Sequence, residues 1–241
     1  MRIVHKQNLY QLTILPRLFP VNCYIYEEKD QLTLIDAGMP SSYKGIVQMI
    51  KDINKPLTNI VLTHGHGDHI GALENLKQTF PNVIVSISER DSRLLKGDRS
   101  LDAHETQTPI KGGVPKGLKI EVDRLLIEGD RVGSLEVYTT PGHTPGSISL
   151  YDTHHDAIIV GDALQTRGRI AVSGQLVRSF PFPALATWNK EISLESARRI
   201  ISLKPSLLAV GHGNMIEKPI DPIEKAIKEA EENLNNVMKG A

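Results

Sequence analysis

Residues 64–69 read HGHGDH, which places His64, His66, Asp68 and His69 within six positions. Imidazole nitrogen and carboxylate oxygen are the donors that zinc and related divalent ions take. In an extended turn alternate side chains point the same way. His64 and His66 can therefore grip one ion while Asp68 and His69 face its neighbour. Three more residues of the same types stand apart in the chain: His143 after LEVYTTPG, Asp162 after AIIVG and His212 after LLAVG, each directly preceded by glycine. His64 itself closes NIVLTH. Each of these four follows an apolar run that reads as a buried strand, and strand exits are where loops hold functional groups on a rigid scaffold. Glycine at such an exit lets the backbone turn sharply and brings a short side chain to a common centre. His64, His66, Asp68, His69, His143, Asp162 and His212 make seven donors. That is too many for one four-coordinate zinc and suits two ions sharing a carboxylate. Of the remaining histidines, His5 lies near the start, His104 in an unpatterned loop and His154-His155 in a turn.

The elements that must carry these donors alternate between strand and helix. VNCYIYEE and QLTLIDAG read as two strands joined at Lys29-Asp30, and YKGIVQMIKDI as a helix capped by Ser41 or Ser42 and ended by Pro56. NIVLTH is a strand, IGALENLKQTF a helix closed by Pro81, NVIVSI a strand, and Ser88-Glu89 opens a short helix, ERDSRLL. Residues 96–119 lack periodicity, a pattern that fits either a substrate loop or lid or a plain surface loop. LEVYTT, SISLYD and AIIVGDA then read as strands with turns at Gly133-Ser134 and His154-His155. TWNKEISLESARRIISL is a helix capped near Thr187, SLLAVGHG the last strand, and IEKAIKEAEENLNNVMK a charged C-terminal helix. Two blocks of strands, each followed by helices, predict an α+β fold with two sheets face to face and helices outside. No linker or composition shift divides residues 1–241, so a single domain is expected.

At 241 residues the chain is long enough for a large core. Its 28 basic and 28 acidic residues cancel, which gives no support for nucleic-acid binding. No run reaches the roughly 18 apolar residues of a membrane span, and MRIVHKQNLYQLTIL has no signal-peptide pattern. The expected setting is the cytoplasm, with a small-molecule substrate; the pattern says nothing of oligomeric state. Cys23 is the only cysteine, in a strand-like run, and reads as a buried structural thiol.

THGHGDHIGAL, TTPGHTPGSISLY, VGDAL and AVGHG together resemble the metallo-β-lactamase-fold hydrolases, and the resemblance runs from VNCYIYEEKDQLTLIDAG to the strand before His212. It implies an αββα four-layer sandwich of two mixed sheets. It implies a first metal site at His64, His66 and His143, a second at Asp68, His69 and His212, and Asp162 as the bridging carboxylate. Asp36 of LIDAG matches a family aspartate that supports the ligands from outside. The implied chemistry is hydrolysis of an ester, thioester or lactone by a hydroxide shared between two divalent ions, zinc first and manganese or iron as alternatives. Asp68 and Asp162 are the catalytic candidates, Asp68 as a proton relay. Departures narrow this. The best-known β-lactamases have cysteine at the position of Asp162. Several acyl-homoserine lactonases have tyrosine where this chain has Gln165, and glyoxalase II enzymes add a helical region where only 29 residues follow His212. Nuclease branches bring an extra domain. Two rival classes share the fold. One is a mononuclear iron persulfide dioxygenase, which would need only His64, His143 and Asp162; the other is a non-catalytic binding protein. Arg167, Arg169 and Arg178 follow the bridging aspartate and can hold an anionic substrate group, though surface arginine is the simpler reading.

Overall fold

The first half of the chain builds a sheet whose spatial order is its sequence order. β1 (Arg2–Lys6), β2 (Leu9–Ile14), β3 (Val21–Glu27) and β4 (Leu32–Ile35) run antiparallel, and β5 (Leu57–Leu62), β6 (Ile84–Ser88) and β7 (Arg124–Leu126) add in parallel. This computed structural model describes residues 1–239. The second half supplies β8 (Arg131–Val132), β9 (Leu135–Thr139), β10 (Ile148–Asp152) and β11 (Ala157–Ile159). A small separate hairpin of β12 (Leu164–Gln165) and β13 (Ala171–Val172) follows, then β14 (Leu207–Ala209) and β15 (Ile216–Glu217). The second sheet has the order β15-β14-β11-β10-β9-β8. The helices are α1 (Tyr43–Ile53), α2 (Gly67–Ile70), α3 (Leu73–Thr79), α4 (Ser92–Leu95), α5 (Phe182–Ala186), α6 (Lys190–Ser202) and α7 (Ile220–Lys239). None of the described helices is long and apolar enough to cross a membrane.

The layering follows from strand periodicity. Successive side chains of a strand face opposite sides, so β3 turns Cys23 and Ile25 toward Ile46 and Ile50 of α1 and Leu73 and Leu76 of α3. The same strand turns Tyr24 and Tyr26 the other way, where with Ile35 and Val61 they meet Leu150, Ile159, Leu207 and Ala209 of the second sheet. The far face of that sheet, Ile158 and Leu208, packs on Leu194 and Ile200 of α6 and Ile223 and Ile227 of α7. The result is the expected αββα sandwich. Strands such as β4, LTLI, show no alternation because both faces are buried. Each fully buried aliphatic chain contributes about 2 kcal/mol to holding the layers together. Cys23 lies in this packing as expected, and burial pushes its thiol far above the ordinary range.

Several elements differ from the sequence expectation, each for a local reason. The hairpin β1–β2 is not announced by its mixed polar and apolar residues. The single helix expected over IGALENLKQTF is broken, because the Gly71 N–H donates to Gly38 O at 2.7 Å instead of continuing the helical ladder. The helix of ERDSRLL shrinks to α4, since the Asp91 N–H is held by Ser88 Oγ. Ser42 does precede α1, but its hydroxyl accepts from the Met39 N–H rather than from the helix. The helix expected from Thr187 begins at Lys190, capped by the Asn189 side chain on the N–H groups of Glu191 and Ile192. SLLAVGHG is followed by one more strand, β15.

Parallel pairing of β4 with β5 and of β11 with β14 sends Asp36, His64, Asp162 and His212 out of the same end of the sandwich. The two sheets are tied there. Asn22 N donates to Gly211 O and Ile148 N to Thr63 O, both at 2.9 Å, and the Tyr24 hydroxyl donates to Val210 O at 2.7 Å. Residues 96–119 contain no helix or strand, yet the segment is anchored. Ile110 and Val114 pack with Leu94 and Trp188, Trp188 Nε1 donates to Thr108 O at 2.8 Å, and Arg90 forks onto the Glu105 carboxylate.

Candidate metal centre

The strand exits bring all seven candidate donors together. His64, His66 and His143 form one group, and Asp68, His69 and His212 another. A third grouping of His64, His69 and Asp162 links them; within each, the donor atoms lie within 4.8 Å of one another. Asp162 sits between the two groups. Its Oδ2 is 3.3 Å from His143 Nε2 and 3.2 Å from His212 Nε2, and its Oδ1 is 3.4 Å from His69 Nε2. Asp68 Oδ2 lies 3.5 Å from His212 Nε2 and 3.8 Å from His69 Nε2. Six of the seven are buried, and only Asp68 is partly exposed.

Every imidazole has its outward nitrogen engaged. His69 Nδ1 meets Asp36 Oδ2 at 2.8 Å, and His212 Nδ1 meets Pro20 O at 2.7 Å. His66 Nε2 meets Lys111 O at 2.9 Å, so the segment 96–119 takes part in the site. His64 Nδ1 lies 3.1 Å from the Thr63 hydroxyl, which itself donates to Asp36 and so accepts from the ring. His143 Nδ1 lies 3.0 Å from Ser173 Oγ, which is bonded to the Thr187 hydroxyl, and that donates to Pro183 O. A directional chain results, in which the ring donates outward. At His64, His66 and His143, which burial keeps neutral, fixing the N–H on the outer nitrogen leaves the inner one as a lone pair. His66 Nδ1 and His143 Nε2 then face each other 3.0 Å apart. Two lone pairs at that distance repel unless a cation lies against them.

Three of the converging atoms, His64 Nε2, His69 Nε2 and Asp162 Oδ1, are buried with no hydrogen-bond partner. Buried polar atoms are normally satisfied, and these three point at one another. The donor set and its orphaned atoms fit divalent metal cations. Charge differs across the centre. Burial holds His64 well below its ordinary value, lowers His66, and takes His143 down to about 3. At His69 burial is outweighed by the carboxylates of Asp162, Asp68 and Asp36, which push it up to about 10. Burial opposes ionisation of Asp162 as well, but His212, His69 and His143 hold it well below the usual carboxylate range.

Two glycines make room for this. Gly112 has φ +84°, and a Cβ there would run into the His66 ring; one at Gly211 would run into the Asp162 carboxylate. Asp36 takes φ +59°, which turns its carboxylate to reach Thr63 and His69 together. Asp91, which no sequence pattern singles out, is buried and braces two ligand loops. It accepts from Gly65 N at 3.0 Å, Gly146 N at 2.8 Å and the Thr144 hydroxyl at 2.6 Å, and burial raises its carboxyl despite these donors. Thr63, Ser173 and Thr187 were equally hidden, being hydroxyls in ordinary contexts.

A cavity of about 310 Å³ opens onto the centre. It is lined by Asp68, Asp162, His66, His143 and His212 of the centre, by Gly112 and Gly113, and by the apolar Phe19, Phe182 and Leu185. The three arginines lie elsewhere: Arg167 donates to Arg17 O, Arg169 pairs with Glu229, and Arg178 is exposed. His104 is exposed, as expected. Gln165 is buried in β12, and neither its amide nitrogen nor its oxygen has a partner.

The sequence model of the metallo-beta-lactamase superfamily matches residues 16–212. The chain is 54% identical to YobT of Bacillus subtilis (strain 168) over 230 residues, covering 95% of this chain and 99% of that one. It is 32% identical to the probable metallo-hydrolase YflN of the same organism, covering 77% of this chain and 76% of that one. The solved structure of TTHA1623 in a di-iron-bound form matches with a TM-score of 0.64 at 26% identity, covering 88% of this chain and 96% of that one.

Proposed function

Starting from the fact that the chain belongs to the metallo-beta-lactamase superfamily, we propose that it is a hydrolase working with two divalent ions, zinc by preference, on an ester, thioester or lactone. The observation that carries this reading is the convergence of His64 Nε2, His69 Nε2 and Asp162 Oδ1, buried and unpartnered. In this reading His64, His66 and His143 would hold one ion and Asp68, His69 and His212 the other, with Asp162 placed between the two groups. Such ions supply hydroxide at neutral pH and polarise a scissile carbonyl. The outward hydrogen bonds lock the rings so that no reorganisation accompanies the reaction. Asp68 lines the cavity and is partly exposed, which suits it to pass a proton toward the leaving group. A mononuclear iron dioxygenase would leave His66, Asp68, His69 and His212 without a role. The di-iron form of TTHA1623 also favours two ions on this fold.

The test is a panel of esters, thioesters, lactones and phosphodiesters, run on protein of measured metal content. Hydrolysis of carbonyl substrates at about two ions per chain is the expected result. Activity with one iron per chain and oxygen consumption on a persulfide would replace the reading by an oxygenase. Fully metallated protein that hydrolyses nothing would make it a binding protein.

A further inference from the structure

The chain contains only four phenylalanines, and three of them meet beside the metal centre. Phe19 lies 4.9 Å from Phe182 and 5.2 Å from Phe180, and Phe180 and Phe182 are 5.4 Å apart, ring centre to ring centre. Phe19 and Phe180 also pack against the His212 ring at 5.6 and 5.3 Å. The cluster is therefore continuous with the ligands. Phe180 is buried, but Phe182 is 51% exposed, Leu185 65% and Leu18, next to Phe19, 81%. Large apolar side chains left open around a cleft mark a surface that something apolar covers.

We propose that this wall selects the substrate by an uncharged hydrocarbon group, the acyl chain of an ester, thioester or lactone, laid along Phe19, Phe182 and Leu185 with its carbonyl at the metal centre. The proposal rests on the hydrolase reading above. Among the described residues no lysine or arginine lines the cavity, so away from the metal centre the charged end of an anionic acyl group finds no cationic side chain there. Asp68 and Asp162, the charged side chains lining it other than histidine, belong to the metal centre, so the wall of Phe19, Phe182 and Leu185 itself carries no charge. Gly112 and Gly113 also line the cavity, and a Cβ at Gly113 would meet nothing within 4 Å, so the cavity is open there and bears no side chain. A volume of about 310 Å³ lies at the small end for ligand sites. It holds the scissile group and the start of a chain, whose remainder would continue over the exposed Phe182, Leu185 and Leu18.

Two measurements on metal-loaded protein test this. The first is kcat/KM for an ester and thioester series with straight acyl chains of two to eight carbons, with a succinyl ester as the charged control. The second is the Kd of straight-chain alkanoyl hydroxamates of the same lengths by calorimetry, which needs no turnover. Both are expected to improve about threefold per added methylene, with the succinyl ester at least about tenfold worse than the butyryl ester. Phe182→Ala and Leu185→Ala, at exposed positions, should weaken octanoyl hydroxamate binding about tenfold and flatten both slopes, while Phe182→Leu largely restores them. Circular dichroism and melting establish that the variants fold. Flat profiles in both series overturn the proposal, as does a preference for the succinyl ester. Hydrolysis with flat profiles would leave the hydrolase reading standing alone. Rising hydroxamate affinity with no hydrolysis of any substrate would leave the wall standing without that reading. Flat profiles with a dimer that Leu18→Asp dissolves would assign the wall to a second copy of the chain, against the proposal.

Discussion

The two groups of donors that meet at Asp162 are built from the same residue types, yet they wait for a cation in opposite states of protonation. Behind His64, His66 and His143 stand neutral oxygens, those of Thr63, Lys111 and Ser173, and burial keeps all three rings neutral. Behind His69 stands the Asp36 carboxylate, and His69 and His212 are both raised, by the surrounding carboxylates against the effect of burial. The first group is a set of lone pairs ready for a metal. The second holds protons that a metal must displace. The difference comes from what lies behind each ring, which is how partners outside the ligand set tune metal sites.

The largest test of this contrast removes the residue the groups share. Asp162→Ala should cut hydrolysis by about three orders of magnitude and take metal content below one ion per chain, read by turnover and elemental analysis together. Full activity would mean that the two groups do not act as one centre. Next comes the brace. Asp91→Ala strands the amides of Gly65 and Gly146 and the Thr144 hydroxyl, and should lower stability in denaturant by about 3 kcal/mol. An unchanged midpoint would show that the first group does not depend on it. Asp36→Asn should act unequally on the groups, weakening the second ion by about 10- to 100-fold in chelator competition and the first by less, because Asp36 meets His69 directly but His64 only through Thr63. The smallest effect concerns pH in metal-free protein. His143 falls to about 3 when folded, below its ordinary 6.5. Its contribution is therefore fully present above pH 6.5 and is lost as pH falls toward 3. Denaturant midpoints should show a loss of about 2 kcal/mol between pH 7 and pH 5 from this ring. His69, with its folded value near 10, works in the opposite direction over that window, gaining about 1 kcal/mol, and so offsets the His143 loss only in part.

How much of this was legible in the sequence depends on what each residue type reveals. The ligands stood out because histidine and aspartate directly after an apolar strand are unusual, and glycine beside them marks a tight turn. Two blocks of short buried strands suggested two packed sheets, and the four-layer order came from the family resemblance of the ligand motifs. The partners of the ligands were not legible. Thr63, Ser173, Thr187 and Asp91 act across separations such as Asp91 to Gly146, which no local pattern records. The β1–β2 hairpin was missed because β1 is only partly buried and carries Arg2 and Lys6, while the buried positions of β2 include the polar Gln11 and Thr13. The break between α2 and α3 was missed because Gly71 gives its N–H to Gly38 across the fold. Thr187 looked like a helix cap, but its hydroxyl is committed to Pro183 and Ser173 and the cap passes to Asn189. The apolar wall was unread because Phe19 and Phe182 are far apart in sequence and meet only once the sheets have packed.

The central claim, two unlike groups holding two ions, is tested most directly by titrating metal-free protein with zinc in a calorimeter at pH 6 and pH 8. The account predicts two steps totalling about two ions per chain. The first should be almost the same at both pH values, and the second about a hundredfold weaker at pH 6, with proton release seen as a dependence on buffer ionisation heat. A single step of one ion per chain, or two steps equally indifferent to pH, would contradict it.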